Sequence, residues 1–305
     1  MLKYILKRVL MGAVALFLVT TITFFLMNLV PGGPFDFEKQ INPAAQAALD
    51  AKFGLDKPVL VQFKNYLAHA ITGDLGPSIK QRGREVNDII MVKFVVSARL
   101  CGVTAVVAVA LGIPLGCIAA IRRGKWLDNL IRVFATLGIA VPSFVVSTVT
   151  LYMLCIRWQI LPSRGLENPV NYIMPVFSLA FYPTAYIARM MRSTMLDTLG
   201  QDYVRTAKSK GVANGIVIFK HALRNAILPI VTYLGPMMAF MMTGNFVIEN
   251  VFVIPGLGKE FISSIVNRDY TMIMGTTIFL AAILIALNIL VDIAYKVIDP
   301  RITYE

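Results

Sequence analysis

Charge is what this sequence has least of. Asp, Glu, Lys and Arg make up 15% of its 305 residues, against roughly a quarter in an ordinary soluble domain. Histidine and tryptophan occur twice each and cysteine three times. These shortages exclude chemistry. With two histidines and no H-E-x-x-H there is no zinc peptidase, and no G-x-S-x-G turn offers a serine nucleophile. No G-x-x-x-x-G-K-[ST] phosphate loop is present either, since Gly256-Leu257-Gly258-Lys259-Glu260 has the wrong spacing. Cys101, Cys117 and Cys155 all lie in apolar runs and read as small hydrophobes, neither a disulfide set nor a metal site. No catalytic, metal or cofactor cluster can be assembled.

What the chain has in excess is apolar surface, 57% of its residues, with a mean hydropathy of +0.70. That composition excludes a soluble enzyme, a disordered chain and a disulfide scaffold, and points to an all-α protein that crosses a membrane several times. Charge-free stretches recur at Val9–Phe35, Leu100–Ile121, Val133–Ile156, Asn168–Ala188, Asn225–Ile248 and Tyr270–Val291. Each is long enough for a helix to cross the hydrocarbon core, where backbone groups find no water. The first run is too long for a signal peptide and no small-residue cleavage site follows it, so it reads as a retained span.

The net charge of +12 would suit nucleic acid, but in a membrane chain basic residues decide topology. With the N-terminus inside, the short inner segments hold Lys3, Lys7, Arg8, Arg122, Arg123, Lys125, Arg132, Lys296, Arg301 and seven residues between Arg189 and Arg224. The two short outer loops hold only Arg157, Arg164, Lys259 and Arg268. Six spans with both termini in the cytoplasm follow, and no nucleic-acid partner. The expected layout is a cytoplasmic N-terminus at 1–8, a first span at 9–30, an extracytoplasmic loop at 31–94 and a core at 95–305, with a cytoplasmic loop at 193–224.

The long outer loop carries helix punctuation. Asn42-Pro43 offers a cap and a first-turn proline, and Gly54 a C-terminal stop; a second segment starts at Pro58, spaces Leu60, Phe63, Leu67 and Ile71 helically, and ends at Gly73. A cap on the bundle and a docking surface fit it equally. Between the fourth and fifth spans, Leu196, Leu199, Tyr203 and Ala207 form one apolar stripe. Gly211 to Gly215 then break the helix, and Ile216, Phe219 and Leu223 begin another. This helix–turn–helix elbow suits force transmission to a partner below the membrane, and its basic charge also suits anionic lipid. Gly211 needs a positive φ in either case. His221 reads as a packing residue.

Arg205-Thr206-Ala207-Lys208-Ser209-Lys210-Gly211, followed by His221-Ala222-Leu223-Arg224-Asn225, resembles the coupling loop of ABC importer permeases in its dipeptide/oligopeptide/nickel variant. Ala207, Gly211 and Leu223 fit the general motif E-A-A-x3-G-x9-I-x-L-P in register, while Arg205, Thr206, His221 and Arg224 depart from it. The stretches Met1–Arg8, Phe53–Pro58, Gly73–Ser78, Val141–Phe144, Ile254–Gly258 and Val297–Arg301 match the same branch, so the resemblance runs end to end and is most like the B-type oligopeptide permease.

The resemblance implies a type I importer fold in a bacterial plasma membrane. A homologous second permease would pair with the chain, two cytoplasmic ATPases would carry ATP and magnesium, and an extracytoplasmic binding protein would deliver the substrate. Coupling to the ATPases would run through Tyr203, Arg205, Thr206, Ala207, Lys208, Lys210, Gly211, His221 and Leu223. The large outer loop favours peptides as cargo; nickel chelates, glutathione and haem are the alternatives within the branch, and a non-transport scaffold is the alternative outside it. Three further readings come from the residues themselves. Gly112-x-x-x-Gly116 allows close helix approach. Pro114, Pro142, Pro175, Pro183, Pro229 and Pro236 should bend or interrupt helices. Asp292 and Lys296 have the spacing of a helical ion pair.

Overall fold

The structure is a computed structural model that describes residues 2–35 and 43–298. Its elements are helical: α1 (Leu2–Leu29), α2 (Pro43–Phe53), α3 (Val59–Ile71), α4 (Val86–Ile121), α5 (Trp126–Ala140), α6 (Ser143–Arg157) and α7 (Ile173–Leu199), then α8 (Asp202–Ser209), α9 (Asn214–Ala226), α10 (Leu228–Gly244), α11 (Phe246–Val251), α12 (Leu257–Asn267) and α13 (Tyr270–Ile298). Two compact units emerge. The first comprises Met1–Ser97 and Pro255–Ile289, the second Ala98–Ile254 and the described residues from Leu290.

Among the described residues, three helices are long and apolar enough to cross a membrane by themselves: α1 over Ile5–Leu29, α4, and α13 over Tyr270–Ile293. The expected third and fifth spans are bent pairs, α5 with α6 at 102° and α9 with α10 at 45°. The first break falls where Pro142 follows Val141. Proline drives its predecessor out of the helical region, and Val141 is extended at φ −86°, ψ 121°. Pro229 lies just beyond the second break, whereas Pro114, Pro183 and Pro236 sit inside continuous helices, so the expected interruption does not occur at those three. The expected fourth span is also corrected. α7 begins at Ile173, later than Asn168, and continues past Ala188 to Leu199 through Arg189, Arg192 and Asp197. It is long enough to span, but its Tyr, Pro, Thr and Arg content keeps it outside the apolar class.

In the first unit, Val86, Ile89 and Ile90 of α4 meet Leu257 and Met272 in a core flanked by Leu75, Phe94, Phe279 and Leu280. Asp269, 2% exposed, organises the polar side of that core. Its carboxylate accepts from the Ser78 hydroxyl, from the backbone N–H of Ile79 at 3.2 Å and Lys80 at 3.3 Å, and from Met272 N–H at the start of α13. Nearby, Glu260 accepts from Gln81 at 2.6 Å and pairs with Lys93 at 3.6 Å. The Gly73–Ser78 and Ile254–Gly258 motifs are thus partly structural: Leu75 and Leu257 line the core, and Leu257 N–H donates to buried Ser97 at 2.9 Å.

The outer-loop helices form as expected. α2 and α3 end at Gly54 and Gly73, both with φ near +70 to +80°; Asn42 lies outside the described residues. The apolar stripe of α3 needs correction. Phe63 packs against Phe24 and Phe25 of α1, with ring centroids 5.1 and 5.4 Å apart, but Leu60 and Ile71 are exposed. The side chain of Lys296 lies outside the described residues, and with it the expected pair with Asp292.

Candidate functional site

The elbow forms at the foot of α7. α8 ends in a turn whose hydrogen bonds name the cap: Gly211 N–H donates to Lys208 C=O at 3.0 Å and Val212 N–H to Ala207 C=O at 3.2 Å. That 5→2, 6→1 pair is the Schellman motif, and it requires a left-handed residue between the two donors. Gly211 supplies it at φ +77°, and no atom lies within 4 Å of where a Cβ would stand. The requirement is therefore conformational, not steric. A proline there would also delete the donor to Lys208.

α8 is held to the next helix by polar contacts and one apolar anchor. Asn225 Nδ2 donates to the Tyr203 hydroxyl at 2.8 Å, and that hydroxyl donates to the His221 carbonyl at 3.4 Å. Tyr203, His221 and Asn225 are thus brought together, and the imidazole of His221 is not the group engaged. Leu223 and Ala207 are half-buried; Arg205, Thr206, Lys208 and Lys210 are exposed. Arg205 stays local, 3.7 Å from Asp202. The expected stripes are shifted by about one position. Val204, Val217 and Ala222 are fully buried, while Tyr203, Ile216 and Phe219 face outward, Phe219 at 68%. Residues 217–222 adopt a π-helical turn, whose wider winding rotates the residues after it. The elbow thus exposes an apolar–basic surface of Tyr203, Ile216, Phe219 and Lys220.

Two contacts fix the elbow to the second unit, and neither is visible in a hydropathy pattern. At the α9–α10 bend, Ile230 N–H turns to Ile227 C=O, and the carbonyl of Ala226 accepts instead from the Thr194 hydroxyl of α7 at 2.9 Å. Two residues earlier on α7, Arg192 clasps Asp128 of α5 in a bidentate pair, Nε to Oδ1 at 2.6 Å and Nη2 to Oδ2 at 2.9 Å. Asp128, 1% exposed, also accepts from Gly124 N–H at 2.9 Å. Asp128 is the single acidic residue between Arg122 and Arg132, a signal available to sequence reasoning but unused.

α7 is seated in this unit by small residues. A Cβ on Gly112 would stand 2.7 Å from Ile187 Cγ2, and one on Gly116 2.6 Å from the Ala188 carbonyl. The glycine pair of α4 therefore brings the backbones into contact, as its spacing suggests.

Helices long enough to span, two of them bent pairs, make up an architecture found in a transporter of known structure. The fold is shared with an inward-facing conformation of the MetNI methionine ABC transporter at a TM-score of 0.55, 17% sequence identity, and coverage of 71% of this chain and 97% of that one. The chain belongs to the family of binding-protein-dependent transport system inner membrane components, whose model matches residues 112–304; a companion model for the N-terminal part of such membrane components matches residues 1–101. It is 44% identical over 302 residues to the dipeptide transport system permease protein DppB of Bacillus subtilis (strain 168), covering 99% of this chain and 98% of that one. It is 41% identical over 306 residues to the oligopeptide transport system permease protein OppB of Haemophilus influenzae, covering both chains completely. This is a multi-pass inner-membrane transport component, not an enzyme.

Proposed function

We propose that the chain is the peptide-translocating permease subunit of an ATP-driven ABC importer. The observation that carries this reading is similarity to dipeptide and oligopeptide permeases over the full length of the chain. It crosses the membrane six times with both termini in the cytoplasm, α7 being the sixth span that composition alone does not count. It pairs with a homologous permease, receives peptide from an extracytoplasmic binding protein, and works with two cytoplasmic ATPases that hold ATP and magnesium. The elbow is the ATPase contact: Tyr203, Ile216 and Phe219 supply the apolar area, and Arg205, Lys208 and Lys210 its charged margin. Closure of the ATPases on ATP moves the elbow and switches the pathway between its two openings.

The test is a mild-detergent pull-down from native membranes with mass spectrometry of the attached subunits, followed by peptide uptake into proteoliposomes holding the complex. A second permease, an ATPase and ATP-dependent uptake of di- or oligopeptides are expected. A chain that emerges alone, even after crosslinking, overturns the importer. An intact complex that moves no peptide overturns the substrate.

A further inference from the structure

Polar side chains form a line along the exposed side of α7. Tyr182, Tyr186, Arg189 and Ser193 succeed one another at helical steps of three and four; Tyr182 is 39% exposed, Arg189 and Ser193 are exposed, and Tyr186 is half-buried. The tyrosines form a ladder. The rings of Tyr182 and Tyr186 stack at 6.1 Å, and Tyr233 of α10 lies with its centroid 4.4 Å from Tyr186.

One turn before Tyr182 on the same line sits Ser178. It is fully buried, and its hydroxyl has no hydrogen-bond partner among the described residues. Serines and threonines in helices ordinarily bond back to the preceding turn, as Thr104, Ser147 and Thr276 do here. The line is closed at this end, where Pro175, Ser178 and Leu179 are buried, and opens from Tyr182 towards the elbow.

Such a face does not suit lipid, because polar groups within a span meet water or protein. Its chemistry suits an extended peptide of any sequence. Ring faces accept whatever side chain lies on them, and phenol and serine hydroxyls both donate and accept, matching amide N–H and C=O without selecting a residue. Helical rise places Tyr182 and Ser193 about 16 Å apart along the axis, the length of about five extended residues.

We propose that Tyr182, Tyr186 and Tyr233 form this subunit's wall of the translocation path and bind the peptide main chain during transit. The proposal rests on the peptide-importer reading and adds the residues that touch the cargo.

The experiment replaces Tyr186 with photoreactive p-benzoylphenylalanine in the complete complex and illuminates it during uptake of a radiolabelled pentapeptide. The same substitution at Phe17 of α1 is the control. Label should attach at position 186 in the presence of ATP and unlabelled peptide should compete it away, while position 17 captures lipid. Capture of lipid or of the second permease alone at position 186, in a complex that imports the peptide, overturns the wall and leaves the importer standing. A complex with native residues that imports no peptide overturns the reading beneath it. A kinetic arm reads the same contact. Tyr186→Ala should raise the half-saturating peptide concentration by up to about tenfold, the worth of one aromatic contact, and Tyr186→Phe should recover most of the loss. Unchanged uptake kinetics in Tyr186→Ala overturns the wall.

Discussion

α1 and α7 are nearly the same length, 28 and 27 residues, and both expose much of one face, yet the faces differ in kind. On α1 the exposed residues are Leu6, Leu10, Val14, Phe17, Leu18, Ile22 and Leu26. Its hydroxyls turn inward: Thr20 and Thr21 donate to the carbonyls of Leu16 and Phe17 at 2.8 and 2.7 Å. Asn28 likewise donates to the Phe24 carbonyl at 2.9 Å, so these polar groups are satisfied within the helix, as hydrocarbon demands. On α7 the exposed residues are mixed, Ile173 and Phe177 near its start and Tyr182, Arg189, Ser193 and Asp197 beyond them, and Ser178 does not bond back. The two helices are also held differently. α1 makes apolar contacts, such as Gly12 against Ile285 and Phe24 against Phe63, whereas α7 is fixed by backbone approach at glycines, a bidentate ion pair and a hydroxyl that bridges to Ala226. Exposure in one subunit thus has two meanings, lipid for α1 and a polar path or neighbour for α7.

The sharpest way to break this contrast is at the ion pair. Arg192→Ala leaves buried Asp128 with only the longer contact to Arg132 at 3.8 Å and should cost about 3 kcal/mol, read as a fall in thermal midpoint in detergent. A double replacement of Asp128 and Arg192 by apolar residues should lose less than Arg192→Ala alone; equal or greater loss would show that the pair is not what anchors α7. Next in size is a charge placed on each face. Phe17→Arg should cost about 2.5–3.5 kcal/mol of membrane insertion and Tyr182→Arg almost nothing, measured by the fraction resisting alkaline extraction. Equal losses would put both faces in lipid.

Asp269→Ala tests whether the first unit also depends on a polar anchor. It strands the Ser78 hydroxyl and two loop N–H groups at about 1–3 kcal/mol, and proteolysis between Ile79 and Glu85 should quicken. The smallest effect belongs to Gly211→Ala, about 1 kcal/mol for the left-handed residue, visible as reduced transport per ATP hydrolysed with insertion intact. Full coupling in Gly211→Pro as well would remove the elbow from the mechanism.

Punctuation was the legible part of the sequence. Gly54, Gly73, Gly211 and the break at Val141-Pro142 stand where the residues put them, because a left-handed cap and a pre-proline position are local demands. Gly112 and Gly116 were legible for a different reason, since the spacing of two small residues four apart is itself the signal of close helix approach. What the pattern missed depends on partners distant in sequence. Val204 is buried in place of Tyr203 because Asn225 and the His221 carbonyl hold the phenol at the surface. Leu60 and Ile71 share a face with Phe63, but only Phe63 meets Phe24 and Phe25. The span of α7 was placed too early because absence of charge was the criterion, and its polar character resides mostly in tyrosine, serine, threonine and proline.

The bend at Ile227 has a mechanical consequence. α9 is an arm of thirteen residues, about 20 Å of helix, running from that bend to Asn214 beside the exposed turn. A pivot with such an arm converts each 10° of rotation into about 3 Å of travel at the tip, taking the helical rise as the length scale. The Thr194 hydroxyl, which satisfies Ala226 beside the pivot, sits where the travel is least and can stay bonded through small rotations. On the proposed ATPase contact, a partner engaging Phe219 and Ile216 would tilt the arm with a stroke of about two or three carbon–carbon bonds, and the gearing would lie in the permease itself.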